Sequence, residues 1–404
     1  MNILVYEHVA GGGFAGEPLP GDILSEGFAM LRTLTCDLTA AGHRVTVTLD
    51  SRLKPLAALL NVERTLTVES KGKLLETLRA CSLEAAYVIA PESGEALPSL
   101  IEAVEEAGLI SFNCTPEAVR AVADKAEACR ALASAGLNVP TAAEAHVGED
   151  PLSLARKARD LGFPVVFKPH YGVSCAGLSL VKGVDQISAA VEKLKREAGG
   201  TRFLIQKFIR GVNASVSLIA AAHKASPLTL NMQRVKLASP GMGSSYEGGL
   251  VPLEHPLKNM AFRAAEKAVG VFNGLRGYVG VDLVLTRDKV YLMEVNPRLT
   301  TSYIGLRRVV GYNPAQAIID AVVHGRLPGV GWTSGFAAFQ KVRTSISWPL
   351  ECSVEGILTP PLGNPAYAFI EAYGSTLRMA RDRLYRVKRR LACGGKRRHE
   401  SAGI

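Results

Sequence analysis

Residues 279–298 read VGVDLVLTRDKVYLMEVNPR, and this segment is the most informative one about the fold. Two apolar runs flank a short polar segment at residues 287–289, a pattern typical of a β-hairpin. Glu294 and Asn296 are two residues apart on the second strand, so their side chains share one face of it. If the loop has three residues, Asp282 lies directly opposite Glu294 on that face. Two carboxylates that face each other in an apolar hairpin repel, and a bound divalent cation resolves this conflict.

The candidate metal ligands of this hairpin all offer oxygen atoms. Two carboxylates and an amide, from Asp282, Glu294 and Asn296, suit Mg²⁺ with nucleotide phosphates completing its shell, and Mn²⁺ is an alternative. Arg298 follows two residues later, and a guanidinium beside a metal site can clamp a phosphoryl group during its transfer. Taken alone, the hairpin also fits a solvated face whose charges align by chance.

The chain before the hairpin offers candidates for phosphate and base binding. Lys168 ends an apolar strand, and residues 170–179 after it are rich in small residues, which let backbone N–H groups approach phosphates closely. No Gly-Lys-Ser/Thr sequence follows, so this is not a Walker loop, and a plain hairpin turn is the alternative. Lys125 lies inside a helical pattern over residues 115–136. Residues 203–211 indicate a strand and turn whose backbone could hydrogen-bond a planar base, or an ordinary core strand.

Residues 1–115 alternate strand-like and helix-like stretches, which predicts a small parallel-sheet lobe. Ligands of open α/β sheets bind at the carboxyl ends of the strands. The candidate substrate residues are therefore Glu7, at the end of the first strand, and the glycines that follow it, Gly11, Gly12 and Gly13. A buried cap and a flexible turn are the alternative for these positions. Residues 246–249 read Tyr-Glu-Gly-Gly and predict a mobile lid, or otherwise a surface loop.

Composition and charge restrict the partners of the chain. Its 404 residues are 48% hydrophobic and 21% charged, which is ordinary for a globular protein. Residues 378–404 hold ten Lys/Arg and two acids, so this tail carries +8 of the net charge of +10 and leaves the body near neutral. Nucleic acid is therefore not the expected partner.

No apolar run approaches the roughly 18 residues of a membrane span, and the N-terminus reads as a first strand rather than a signal peptide. Seven scattered cysteines without a Cys-x-x-Cys pair favour free thiols in the cytoplasm, and a homodimer stays open.

Taken in order, these motifs over about residues 115–330 resemble the ATP-grasp superfamily. The resemblance implies an α/β (α+β) fold, in which an N-terminal parallel-sheet lobe precedes two lobes that close on ATP. The expected divisions are 1–115 for the N-terminal (pre-ATP-grasp) domain, 116–330 for the ATP-grasp domain, 331–391 for C-terminal strands and a helix, and 392–404 for a basic tail.

The resemblance also implies a role for each motif residue. Lys125 and Lys168 would bind phosphates, and Arg298, with Lys168, would be catalytic by stabilising the transferred phosphoryl group and an acyl phosphate. Asp282, Glu294 and Asn296 would hold Mg²⁺. The loop over the phosphates would contain Gly172, Ser174 and Gly177. The adenine hinge would be formed by Gln206, Lys207, Phe208 and Ile209. Asn213 stands where many members have a ribose-binding Glu.

A narrower resemblance rests on three further stretches. Residues 6–13, 211–217 and 296–307 are similar to the tyramine–L-glutamate ligases of methanofuran biosynthesis and their bacterial relatives. This resemblance implies an ADP-forming ligase that joins a small-molecule carboxylate, L-glutamate, to tyramine or a tyrosine-like amine. The alternatives are an ATP-grasp phosphotransferase, a ligase for another amino acid or small carboxylate, and a binding protein that has lost turnover.

Overall fold

The chain begins with a parallel sheet, as the sequence predicts. The computed structural model describes residues 1–70, 82–172, 175–329, 332–345 and 354–393. The sheet has the strand order β3-β2-β1-β4-β5 and is built from β1 (Asn2–Glu7), β2 (Arg44–Asp50), β3 (Arg64–Val68), β4 (Ala85–Ile89) and β5 (Ile110–Ser111). The strands β3 and β5 were not predicted, because β5 has two residues and β3 is half polar.

Two helices cover the opposite faces of this sheet. Ile3 and Val5 of β1 pack in the core that contains helix α1 (Gly21–Ala40), whereas Leu4 and Tyr6 pack with helix α2 (Ala96–Glu106). This alternation follows from the two-residue period of a strand. With both faces covered, Glu7 is left at the carboxyl end of the central strand.

The helical pattern over 115–136 is interrupted at Asp124, a correction to the continuous helix that the sequence predicts. Thr115 caps helix α3 (Pro116–Ala123) by accepting the N–H of Ala118. Asp124 has extended backbone and caps a second helix, α4 (Lys125–Ser134), by accepting the N–H groups of Ala126 and Glu127. Capping by Asp is favourable and starts a new helix here, so Lys125 becomes the first residue of α4.

A four-stranded sheet forms the next lobe and has its own apolar core. Its strand order is β6-β9-β7-β8, and every pair is antiparallel. The strands are β6 (Ala142–His146), β7 (Val165–Pro169), β8 (Ser179–Val181) and β9 (Arg202–Lys207), with helices α5 (Pro151–Leu161) and α6 (Ile187–Ala198).

An eight-stranded antiparallel sheet completes the fold in the order β14-β13-β10-β11-β12-β15-β17-β16. The sheet consists of β10 (Val212–Ala221), β11 (Lys224–Lys236), β12 (Ser245–Val251), β13 (Gly277–Leu285), β14 (Val290–Asn296), β15 (Phe336–Thr344), β16 (Ile357–Leu362) and β17 (Ala366–Gly374). Its helices are α7 (Lys258–Val271), α8 (Ser302–Val309), α9 (Pro314–His324) and the basic α10 (Leu377–Cys393). Because β15 pairs with β12, the strands of the segment 331–391 extend the sheet of the preceding domain.

The predicted lid at residues 246–249 is wrong: these residues lie in β12, a strand inside the eight-stranded sheet. Gly248 and Gly249 pair with β15, and a Cβ atom at Gly248 would lie 2.2 Å from the carbonyl oxygen of Phe339. The two glycines therefore allow a close approach of neighbouring strands.

The hairpin of β13 and β14 has the predicted pairing of Asp282 with Glu294 but reaches it in a different way. Leu285 pairs with Val290, and the N–H of Thr286 donates to the carbonyl oxygen of Lys289 at 2.9 Å. The turn therefore has two residues, 287 and 288, and is tighter than the three-residue loop assumed from the sequence. A β-bulge at Met293 then adds one residue to β14 and restores the register that brings the carboxylates together.

Contacts between α1 and α8 join the N-terminal lobe to the large sheet. The carboxylate of Asp37 accepts hydrogen bonds from the Tyr303 hydroxyl at 2.8 Å and from the Arg307 guanidinium at 2.5 Å. None of the helices in the described parts of the chain is long and apolar enough to cross a membrane.

Candidate active site

A cavity of about 400 Å³ is lined by residues from all three sheets. It brings together most of the site residues predicted from the sequence. Gly11, Gly12, Gly13 and Gly177 do not line it, and Ser174 lies outside the described residues, as do positions 394–404 of the basic tail. The predicted residues on its wall are Glu7, Lys125, Lys168, Gly172, Gln206, Lys207, Phe208, Ile209, Asn213, Asp282, Glu294, Asn296 and Arg298.

The candidate metal ligands Asp282, Glu294 and Asn296 lie on one wall of the cavity, on β13 and β14. Asp282 accepts a hydrogen bond from the Gln233 side chain at 2.8 Å. Burial and the facing Glu294 raise the pKa of Asp282 to about 6, although hydrogen bonds from Gln233 and Asn296 lower it. No group of three His, Cys, Asp or Glu side chains that could hold a metal occurs in the described parts of the chain. The donor set here is two carboxylates and an amide, which fits Mg²⁺ when phosphate oxygens supply further ligands.

Two lysines hold the carboxylate of Glu294 from different elements. Lys125 Nζ lies 3.0 Å from one oxygen and Lys168 Nζ lies 2.9 Å from the other. Burial alone would raise the pKa of Glu294, but the two ammonium groups lower it to about 2. The pKa of Lys168 is in turn raised above its usual value, because Glu294 outweighs the effect of burial. Two ammonium groups, one buried (Lys125) and one partly exposed (Lys168), lie beside two carboxylates and form a site that is complementary to polyphosphate and a divalent cation.

Lys125 reaches this site because of the helix break at Asp124. Its side chain is buried, and Nζ also donates to the carbonyl oxygen of Gly172 at 3.1 Å. The same contact places the start of the glycine-rich loop beside the lysines. The sequence shows Lys125 only as part of a helical pattern, because the break at Asp124 is visible only in the structure.

The end of β9 forms another part of the wall. The N–H groups of Lys207 and Phe208 already donate to the carbonyls of Thr141 and Pro164. Within the described ranges, no such partner is found for the N–H of Ile209. Ile209 and the carbonyls of this segment are therefore the backbone groups that could bind the edge of a base.

Arg298 connects the metal hairpin with the N-terminal sheet. Its Nε donates to Glu92 Oε2 at 2.5 Å, and Glu92 follows β4 closely. Burial lowers the pKa of Arg298, but Glu92 more than offsets this, so the guanidinium stays charged. Glu92 was not predicted from the sequence; the signal that could have found it is an acid three residues after an apolar strand of the parallel lobe.

Two more carboxylates line the cavity at the end formed by the N-terminal lobe. Glu7 is 3% exposed, and its Oε2 accepts the N–H of Ala10 at 2.6 Å. Burial raises the pKa of Glu7 to about 7, although backbone hydrogen bonds from Ala10 and Val9 lower it. Glu26 of α1 is bound by Lys341 of β15, with Nζ 2.6 Å from Oε1. Sequence reasoning missed Glu26 and Lys341, which are 315 residues apart.

Comparison with known proteins identifies the family. A family model described as an ATP-grasp domain matches residues 122–302, and one described as a pre ATP-grasp 3 domain matches residues 43–119. The chain is 30% identical to the tyramine–L-glutamate ligase of Methanocaldococcus jannaschii, over 76% of the chain and 84% of that protein.

Solved structures share the fold at lower sequence identity. Biotin carboxylase of Campylobacter jejuni, solved as a complex with β,γ-ATP, has a TM-score of 0.72 and 15% identity over 95% of this chain and 89% of its own. The L-amino acid ligase of Bacillus licheniformis has a TM-score of 0.66 and 16% identity over 96% and 97%. The predicted ATP-grasp fold is confirmed. The chain therefore belongs to the ATP-grasp superfamily, as an ATP-dependent C–N ligase related to the tyramine–L-glutamate ligases.

Proposed function

We propose that the protein joins the carboxylate of L-glutamate to tyramine or a tyrosine-like amine through an acyl phosphate, with ADP and phosphate as the other products. The observation that carries this proposal is the arrangement of Lys125, Lys168 and Arg298 around the paired carboxylates of the hairpin, in one cavity. The similarity to a protein named tyramine–L-glutamate ligase supports the choice of substrates. The proposed place in methanofuran-type cofactor biosynthesis rests on the resemblance of residues 6–13, 211–217 and 296–307.

The metal-binding residues in this proposal are Asp282, Glu294 and Asn296. A bound Mg²⁺ neutralises the negative charge of the phosphates and so favours their approach to a carboxylate. Lys125 and Lys168 contact Glu294 in this structure. When ATP binds, their ammonium groups would leave that carboxylate and pair with the phosphate oxygens instead. Once released by the lysines, both oxygens of Glu294 would be available to hold the metal ion.

The nucleotide has candidate residues on the lobe of the four-stranded sheet. Gln206, Lys207, Phe208 and Ile209 would hold the adenine, and Asn213 at the start of β10 would face the ribose. The loop that contains Gly172, Ser174 and Gly177 would cover the phosphates. This part of the proposal is supported by the cavity lining for the first five residues and for Gly172.

Activation of the carboxylate follows from the chemistry of the reactants. A carboxylate oxygen attacks the γ-phosphorus of ATP, and the bond to the ADP oxygen breaks. Arg298 would bind the transferred phosphoryl group, and its fixed contact with Glu92 orients the guanidinium without further ordering. The amine then attacks the acyl carbon, and phosphate leaves. Exclusion of water protects the acyl phosphate, so a buried cavity suits this reaction.

The release of ADP tests the proposal. The purified protein with Mg²⁺-ATP should release ADP rapidly when glutamate and tyramine or tyrosine are both present, and slowly with either alone. Rapid ADP release with glutamate alone, and a stable phosphorylated product, would show a phosphotransferase instead. A screen of amino acid and amine pairs by the same assay identifies the substrates if this pair is inactive.

A further inference from the structure

The carboxylate of Glu7 lies in a space that exists because the neighbouring residue on helix α1 is a glycine. The Glu7 side chain packs against Gly27 in the middle of α1, where an added Cβ atom would lie 2.4 Å from Glu7 Oε1. Glycine in a helix interior is destabilising relative to alanine. Gly27 therefore makes room for the carboxylate and at the same time lowers the local stability of helix α1.

The other carboxylates on the cavity wall have partners. Glu26 is bound by a lysine, Glu92 by an arginine and Glu294 by two lysines, while Asp282 belongs to the metal hairpin. For Glu7, the described residues include no Lys, Arg or His within ion-pair distance, and its hydrogen bonds come from backbone N–H groups. Burying an unpaired carboxylate is unfavourable, so a cation bound at this end of the cavity would offset that cost.

The surroundings of Glu7 indicate what kind of cation this is. The titratable groups near it are Tyr6 and His8 on its own segment, Glu26 on α1, and the paired Glu92 and Arg298 beyond β4. Several apolar side chains line the same end of the cavity. An organic ammonium with an apolar body fits this combination better than a metal ion does. The apolar residues are Val9, Phe14, Ile23, Met30 and Ile89.

We propose that Glu7 binds the ammonium group of the amine substrate and removes its proton before attack. This inference rests on the proposed ligase function. The carboxylate of Glu7 accepts one proton from R–NH3⁺ and gives R–NH2, which forms the C–N bond with the acyl carbon. The C–O bond to phosphate breaks, the second nitrogen proton leaves with the phosphate, and Glu7 releases its proton to solvent.

The sheet places Glu7 next to the proposed site of the acyl phosphate. Glu7 pairs with Ile89 across β1 and β4, and three residues after Ile89 the chain reaches Glu92, which holds Arg298. An amine bound at Glu7, on β1, would thus lie beside β4, and the residue Glu92 that follows β4 holds Arg298. A carboxylate with a pKa near 7 is also well suited to accept a proton at neutral pH.

The variant Glu7→Gln separates this role from carboxylate activation. Glutamine keeps the size of the side chain and can accept the Ala10 N–H, but it has no charge and is not a base. With amine as the nucleophile, kcat/KM should fall by about a hundredfold or more. Hydroxylamine is uncharged at neutral pH and needs no base, so ADP release coupled to hydroxamate formation should be retained in the variant.

The outcomes distinguish the two levels of the proposal. Wild-type protein that forms no hydroxamate with any carboxylate would refute the ligase function itself. Hydroxamate formation by the wild type, together with equal amide rates in wild type and Glu7→Gln, would refute the role of Glu7 alone. Equal losses with amine and hydroxylamine would also refute it. The variant Glu7→Asp keeps the charge but withdraws it, so it should raise KM for the amine more than it lowers kcat; an unchanged KM would contradict ammonium binding.

Discussion

Replacing Glu7 with glutamine should stabilise the folded protein, and the gain should grow as the pH rises. Burial raises the pKa of Glu7 from 4.5 to about 7 in the folded state, so folding favours the protonated form. The folded wild type is therefore penalised least below the ordinary pKa of 4.5 and most above about 7. Glutamine stays neutral at every pH and escapes this penalty.

The size of the effect follows from the two pKa values. At about 1.4 kcal/mol for each unit between 4.5 and 7, the variant should gain about 3 kcal/mol in the free energy of unfolding at about pH 8. The same calculation gives about 1 kcal/mol at about pH 5, where Glu7 in the folded state is already protonated. Other titrating groups act equally in both proteins, so they cancel in the difference.

Urea unfolding followed by circular dichroism at both pH values measures this difference. Glu247→Gln removes an exposed carboxylate on β12 and is the matched control; it should change the free energy of unfolding little at either pH. A Glu7→Gln protein that is less stable than wild type at the higher pH would contradict the predicted gain in stability. So would an equal gain at the two pH values, because the penalty would then not arise from ionisation.

Three further predictions concern the metal hairpin, the packing of α1 and the tail. Asp282→Asn and Glu294→Gln should each lower magnesium-dependent ATP turnover by about a hundredfold or more with unchanged circular dichroism; wild-type turnover in both would refute the metal assignment. Gly27→Ala should lower kcat/KM for amide formation by about a hundredfold, as Glu7→Gln does, because its Cβ would lie 2.4 Å from the carboxylate at the end of β1. Gly270→Ala in α7 meets no atom nearer than 3.8 Å and should leave kcat/KM unchanged; equal effects on kcat/KM would contradict this. Deletion of residues 392–404 should leave kcat/KM unchanged, and a folded but inactive truncated protein would contradict the interpretation of the tail.

The local parts of the fold were predictable because their signals have short range. The two-residue period of a strand places Glu294 and Asn296 on one face, and the apolar strand–helix alternation indicates the parallel lobe. The bulge at Met293 is not visible in this pattern, so the correct register was inferred through an incorrect loop length. Likewise, Gly248 and Gly249 were interpreted as mobile because the close approach of β15 depends on chain far away in sequence.

The electrostatic partners of the site could not be predicted for the same reason. Arg298 and Glu92 are 206 residues apart, and Lys168 and Glu294 are 126 apart. No periodicity links such pairs, and only the meeting of three sheets brings them into contact. The charge of the cavity, and the unpaired state of Glu7 within the described chain, therefore emerge only from the tertiary structure.

The transfer of isotopically labelled oxygen from glutamate to phosphate shows whether the carboxylate is activated as an acyl phosphate. Glutamate with labelled oxygen in its carboxyl groups is incubated with the protein, Mg²⁺-ATP and the amine, and the released phosphate is analysed by mass spectrometry. If the carboxylate is activated as an acyl phosphate, one labelled oxygen should appear in phosphate for each amide formed. Amide accompanied by unlabelled phosphate would contradict the proposed mechanism.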